Sequence, residues 1–216
     1  MRCTVGYGSK NTDDSREDFM KKTKSQLQTE KLVLVALFTA LVAVLSYLGG
    51  FIKVGAEASI NLTLIPVVLG AALCGPFIGA WLGAVSGVVF FLTADATFWL
   101  GLSIHGTIIT VIIKGIVSGL LAGLTYKALE KFNRYAAVLT SAVVAPIVNT
   151  GIFVLGCFIF FFDAVVVPGA ASEEMSVGAY VILGMAGINF LLEFLANILL
   201  SPAILRIINI KKKDSK

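Results

Sequence analysis

The chain has 216 residues, of which 57% are hydrophobic and only 14% are charged, and its formal net charge is +4. Soluble domains carry about 25% charged residues, so this composition excludes an ordinary soluble protein. The basic residues fall into short separate segments, which argues against a nucleic-acid-binding surface. We therefore predict one compact helical bundle in a lipid bilayer.

Six apolar segments follow one another along the chain, and each is a candidate for a membrane-spanning helix of about 20 residues. The segments are roughly residues 31–50, 60–75, 77–94, 101–128, 136–162 and 176–205. The second and third are short and suit a thin or tilted packing. The predicted fold is an all-α membrane protein, a bundle of six transmembrane helices over residues 31–210. Residues 93–100 are expected to form a loop between the third and fourth segments.

Polar and basic segments set the expected orientation of this bundle. Residues 1–30 are polar and are expected to be a disordered or loosely helical extension, and residues 211–216 form a basic tail. Basic residues cluster before the first span, between the fourth and fifth, and after the sixth. With six spans these regions share one side, and basic residues favour the cytoplasm, so both termini are predicted to be cytoplasmic.

Small residues line one face of the third segment. Gly75, Gly79, Gly83 and Gly87 recur every fourth residue, after the joint Cys74-Gly75-Pro76 that makes the second and third segments a hairpin. Glycine inside a helix costs about 1 kcal/mol relative to alanine. In lipid, such a stripe lets helix backbones approach closely. The stripe is therefore predicted to be scaffold that packs on a neighbouring helix.

Polar side chains inside the apolar segments are the first candidates for function, because an unpaired polar group in hydrocarbon costs several kcal/mol. Lys114 and Asn149 lie near the middle of their segments, and Asn189, Glu193 and Asn197 share one helix face at a spacing of four. In a structural interpretation, Lys114 pairs with Glu193 and the asparagines satisfy their neighbours. In a functional interpretation, part of this network binds a polar substrate.

The chain carries none of the common catalytic sequence patterns. It has no P-loop, no H-E-x-x-H and no G-x-S-x-G. The only histidine, His105, cannot build a metal site alone, so it either contacts a ligand at the outer mouth or is an ordinary interfacial residue. We predict no enzymatic activity and no cofactor, and uphill transport would need an ion gradient or a partner.

Four stretches of the sequence point to a known family. They are the Ala36-x-x-x-Ala40 pair, the hairpin LIPVVLGAALCGPFIGAWLGAVSG, the run IKGIVSGLLAGLTYK and the run PIVNTGIF. Together with the size and the number of segments, they make residues 31–210 resemble the substrate-binding (S) component of an energy-coupling factor (ECF) transporter.

The resemblance implies a function and a set of partners. An S component binds a vitamin or similar micronutrient near the outer face of a prokaryotic cell membrane, and docks on a membrane T component driven by two cytosolic ATPases. The docking face would be Ala36, Ala40 and Ala43. The implied substrate-binding residues are Lys53, Glu57, Asn61, Trp99, His105, Lys114, Asn149 and Asn189.

The sequence indicates the family more clearly than it indicates the ligand. The start of the second helix, LIPVVLGA, is most similar to pantothenate-type members and to members whose ligand is uncharacterised. The carboxylate of pantothenate could pair with Lys53 or Lys114, although folate also carries carboxylates.

Two other functions stay open at this point. One is a stand-alone ion-coupled secondary transporter or small channel that uses Lys114 and Glu193 as an ion relay. No inverted repeat or pair of broken helices supports it. The other is an intramembrane enzyme or assembly factor, which the absence of catalytic spacing disfavours.

Overall fold

Helices make up most of the protein in the computed structural model, which describes residues 10–49, 53–54, 58–59, 62–161 and 188–214. Within these ranges the helices are α1 (Lys10–Gly49), α2 (Leu64–Cys74), α3 (Pro76–Phe90), α4 (Ala94–Leu102), α5 (Ile104–Leu129), α6 (Arg134–Phe160) and α7 (Ile188–Asp214). Two short antiparallel strands, β1 (Lys53–Val54) and β2 (Ala58–Ser59), place Lys53 opposite Ser59. Helix α1 includes much of the polar N-terminal segment, for which disorder or loose helix was expected.

Four of the helices are long and apolar enough to cross a membrane by length and composition. The qualifying stretches are Gln28–Gly49, Ile104–Leu129, Arg134–Phe160 and Phe190–Ile208. Helices α3 and α4, bent by 84°, qualify as a fifth span only when taken together. Helix α2 has 11 residues and is about 16 Å long, shorter than the roughly 30 Å of a bilayer core. The described residues thus form a multi-pass helical membrane protein, and the count of six spans stays a prediction.

The prediction of a loop at residues 93–100 is wrong, because helix α4 occupies this part of the chain. The Thr93 hydroxyl donates a hydrogen bond of 2.6 Å to the Phe90 carbonyl at the end of α3. Asp95 lies in the first turn of α4, where a negative charge is favourable next to the helix N-terminus. Ser103 then accepts a hydrogen bond from the Gly106 amide at 3.2 Å and begins α5. The Ser103 amide donates to the Trp99 carbonyl at 3.2 Å, so α4 ends directly before α5 begins.

The hairpin between α2 and α3 is present and turns at Gly75. Gly75 has a φ of +109°, a conformation that favours glycine, and Pro76 begins α3 directly after it. Beyond the turn the two helices run antiparallel, because Gly79 faces Ala71: a Cβ added to Gly79 would lie 2.6 Å from the Ala71 Cβ.

The glycine stripe of α3 packs against α5, as the scaffold interpretation predicted. The facing pairs are Gly79 with Gly119, Gly83 with Gly115, and Gly87 with Val111. As the residue number rises by four along α3, the number of the facing residue on α5 falls by four. The two helices are therefore antiparallel. A Cβ on Gly83 or Gly115 would overlap the backbone of the other helix. The contact therefore brings two backbones together without intervening side chains.

The bundle has two ends of different character. The largest apolar cluster lies at the end where α5 and α7 finish and α6 begins, and it includes Phe38, Val42, Tyr126, Val138, Ile204 and Ile208. Lys127, Arg134 and Arg206 are exposed at this end. The opposite end contains the C-terminus of α1 and the N-termini of α5 and α7. The polar side chains described below lie toward that end.

Candidate functional site

A cavity of about 90 Å³ lies in the half of the bundle away from the apolar cluster. Residues of every described helix contribute to its wall. Its charged and polar lining residues are Ser46, Ser86, Thr93, Asp95, Lys114, Ser118, Asn149 and Glu193. A cation, carboxylates, an amide and hydroxyl groups thus converge in one space inside an apolar protein.

Lys114 reaches the cavity from the middle of α5 and is partly buried. Its ammonium nitrogen is 5.0 Å from the ring centroid of Phe153 on α6 and 5.7 Å from that of Phe90 on α3. At these distances the rings attract the cation, by about 0.5–2 kcal/mol in each case. The adjacent Gly115 lets α3 approach α5 closely, and this approach brings the Phe90 ring to the lysine.

Glu193 and Asn149 also line the cavity and are both buried, with 1% and 7% of their surface exposed. The Asn149 side-chain amide donates to a Glu193 carboxylate oxygen at 3.4 Å, which joins α6 to α7. Asn197 donates to the Glu193 backbone carbonyl at 2.8 Å, one turn further along α7. The predicted polar face of the last helix is therefore buried at Glu193 and Asn197.

A cluster of hydroxyl groups near the cavity was not predicted from the sequence. The Ser46 hydroxyl on α1 lies within hydrogen-bond distance of two other hydroxyls, that of Ser86 on α3 at 3.0 Å and that of Thr63, just before α2, at 3.3 Å. Serine in an apolar helix resembles a small packing residue, so these serines do not stand out in the sequence. The pairing of Ser46 with Ser86 depends on how α1 packs on α3, which the sequence of neither helix specifies.

Among the predicted binding residues, the structure brings Lys114 and Asn149 together with Glu193. Trp99 does not line the cavity, because its ring packs edge-to-face against Phe153 at 5.2 Å and Phe161 at 5.3 Å. It supports the wall, since Phe153 also contacts Lys114. His105 is exposed in the first turn of α5 and does not line this cavity either.

The other four predicted binding residues stay predictions. Lys53 lies in β1 and Asn189 in the first turn of α7, but their side chains are outside what the structure describes. Glu57 and Asn61 lie outside the described residues altogether.

The predicted docking residues lie on the outer face of α1. Ala36 and Ala40 are exposed and Ala43 is partly buried, whereas Phe38 and Val42 on the opposite face are buried in the core. This exposure is compatible with a contact to another subunit.

Comparison with known proteins identifies the family. The model of the family described as "ECF transporter, substrate-specific component" matches residues 30–205. Neither the curated proteins nor the solved structures contain a match. The family match covers most of the chain and agrees with the resemblance seen in the sequence. The chain therefore belongs to the family of ECF transporter substrate-specific components, which are transport subunits.

Proposed function

We propose that this chain binds a small polar micronutrient in the cavity around Lys114, Asn149 and Glu193 and passes it to an ATP-driven ECF complex. The observation that carries the proposal is the convergence of these three side chains, from three different helices, on one cavity. Charged groups inside membrane proteins are costly, and they commonly mark a substrate or ion pathway.

The chemistry of the cavity suits a polar ligand with an apolar part. Lys114 supplies hydrogen-bond donors, Glu193 supplies acceptors, and Asn149 supplies both. Phe90 and Val111 add apolar wall. Binding pockets usually combine such an apolar lining with a few placed polar groups. We propose that Lys53, Glu57, Asn61 and Asn189 add contacts from neighbouring parts of the chain.

The cavity is proposed to face the outside of a prokaryotic cell, with both termini in the cytoplasm. The exposed basic residues Lys127, Arg134 and Arg206 lie at the opposite end of the bundle. Basic residues favour the cytoplasmic side of a membrane, which supports this orientation.

The proposed partners are a transmembrane T component and two cytosolic ATPases. The exposed alanines of α1, Ala36 and Ala40, support a docking face, because small side chains let another helix approach closely. Among ligands, pantothenate is our first candidate, because a carboxylate pairs well with a lysine ammonium.

The first experiment is purification of the tagged chain from its native membrane. We expect a membrane partner and two ATPases to co-purify, and native mass spectrometry to detect a bound small molecule. The alternative, an ion-coupled transporter using Lys114 and Glu193, makes a different prediction. If the purified chain alone accumulated solute in liposomes under an ion gradient, the proposed function would be wrong.

A further inference from the structure

The two charged side chains of the cavity are presented by different helices and have different surroundings. The close described contacts of the Lys114 ammonium are with the rings of Phe90 and Phe153. An aromatic face attracts a cation but accepts only weak hydrogen bonds, whereas an ammonium has three strong donors. An acidic group of a ligand would supply the acceptors that the rings do not.

Glu193 presents a group of the opposite charge to the same cavity. Its carboxylate accepts a hydrogen bond from Asn149 at 3.4 Å, which is a long contact. A carboxylate has about four acceptor positions, so Glu193 can bind Asn149 and a ligand donor at the same time. Asn149 also lines the cavity, between the lysine helix and the glutamate helix.

We propose that the substrate is a single acid that also carries a strong hydrogen-bond donor, with the acid bound by Lys114 and the donor bound by Glu193. The donor is an ammonium, a hydroxyl or an amide N–H. This inference rests on the proposed function and specifies the chemical class of its ligand.

The groups of the wall fit the other ligand classes less well. A permanent cation without an acid would be attracted by Asp95 and Glu193, but it would supply no acceptor for the three donors of the Lys114 ammonium. A ligand with several negative charges would meet Glu193 and Asp95, which line the same cavity. A neutral ligand without an acid would not supply a charged acceptor, so the Lys114 ammonium would keep only its contacts with the aromatic rings.

The size of the cavity limits which part of the ligand it encloses. Its volume of about 90 Å³ is well below the roughly 300 Å³ of a pocket that encloses a whole drug-sized ligand. The enclosed part is therefore a compact head group. The acid and the donor lie near one another in that head group, as they do in an amino acid or a hydroxy acid.

The test begins with the ligand itself. Small molecules released from the purified chain are identified by mass spectrometry, and binding is measured by calorimetry with pantothenate, tryptophan, thiamine and riboflavin as probes. A tight ligand with one acid and a nearby donor supports the inference. Preference for thiamine, a cation without an acid, or riboflavin, a neutral molecule, overturns it and leaves the proposed function standing. If no molecule is released and no probe binds, the proposed function itself is contradicted.

Variants that remove one charge then test which residue binds the acid of the ligand and which binds its donor. Lys114→Gln should weaken binding of the acidic ligand about ten- to hundredfold, as expected for loss of a charge-assisted hydrogen bond. It should leave binding of the corresponding alcohol or amide nearly unchanged. Lys127→Gln, an exposed lysine in the last turn of α5, is the matched control and should bind like the wild type.

The wild-type protein provides a readout that does not depend on variants folding. Conversion of the ligand's acid to an alcohol, as in the change from pantothenate to panthenol, should cost at least about tenfold in affinity. Glu193→Gln should instead reduce discrimination between the ligand and an analogue that lacks the donor. Equal binding of acid and alcohol by the wild type would overturn the inference.

Discussion

This protein has two stripes of small residues, one covered by another helix of the same chain and one exposed. The glycines of α3 are covered by α5 of the same chain, so closely that a Cβ on Gly83 would overlap the Gly115 backbone. The alanines of α1, Ala36 and Ala40, are exposed although the other face of α1 is in the core. A small-residue stripe thus indicates close helix packing, but the sequence alone does not tell whether the packing partner belongs to the same chain.

The largest expected effect comes from breaking the covered stripe. Gly83→Val should abolish the folded bundle, because the added side chain meets the backbone of α5, which cannot move aside as a flexible side chain can. Overpacking against side chains alone typically costs about 1–3 kcal/mol, and this change should exceed that range. Size-exclusion chromatography and thermal unfolding in detergent measure the result.

Gly151→Val on α6 is the matched control for this change. A Cβ at Gly151 has nothing within 4 Å, and the residue is exposed. The control should purify as a monodisperse, folded protein. If both variants were equally stable, the close contact between α3 and α5 would not be essential to the fold.

The second effect comes from filling the exposed stripe. Ala40→Trp should abolish substrate uptake by the assembled transporter and leave ligand binding intact, because the bulky ring blocks the proposed docking of α1 on the T component. Uptake in cells and calorimetry on the isolated chain measure the two activities separately. Leu124→Trp, at an exposed position of α5, is the control and should transport normally. Loss of binding in Ala40→Trp would mean that this face belongs to the core of the subunit.

Much of the architecture could be predicted because hydrocarbon imposes strict rules on the sequence. Long apolar segments predicted helices that the structure contains, and the turn at Gly75 between α2 and α3 followed from Gly75-Pro76. The cost of polar groups in lipid also selected Lys114 and Asn149, which the structure places in one cavity. In each case one residue or one segment was sufficient for the prediction.

The features that were missed depend on pairs of elements. The packing role of Gly115 and Gly119 depends on their register against α3. The sequence of a single segment does not specify that register. Ser46 and Ser86 likewise give a weak signal, because a serine in a helix can satisfy itself on a carbonyl of the preceding turn. The resemblance implied Trp99 as a binding residue, and the described contacts of its ring are with Phe153 and Phe161.

A third prediction concerns how α1, with its exposed stripe, is attached to α3, with its covered one. Ser86→Ala removes the hydrogen bond from Ser46, and should lower the free energy of unfolding by about 1 kcal/mol. Thermal unfolding of the purified chain measures it. Ser118→Ala removes a local hydrogen bond within α5 and is the comparison. An equal loss in both variants would mean that the contact between α1 and α3 contributes nothing specific.

The smallest expected effect is at the outer edge of the same helix pair. The Trp81 indole N–H donates to the Thr39 hydroxyl at 3.3 Å, and Trp81 is 55% exposed. Trp81→Phe keeps an aromatic ring and removes this donor, so the free energy of unfolding should fall by no more than about 0.5 kcal/mol. Transport is the more informative measurement, because Thr39 is the neighbour of Ala40 on α1. If Trp81→Phe reduced uptake while stability and ligand binding were unchanged, the docking face would extend from α1 onto α3. If uptake were also unchanged, the exposed stripe of α1 alone would define that face.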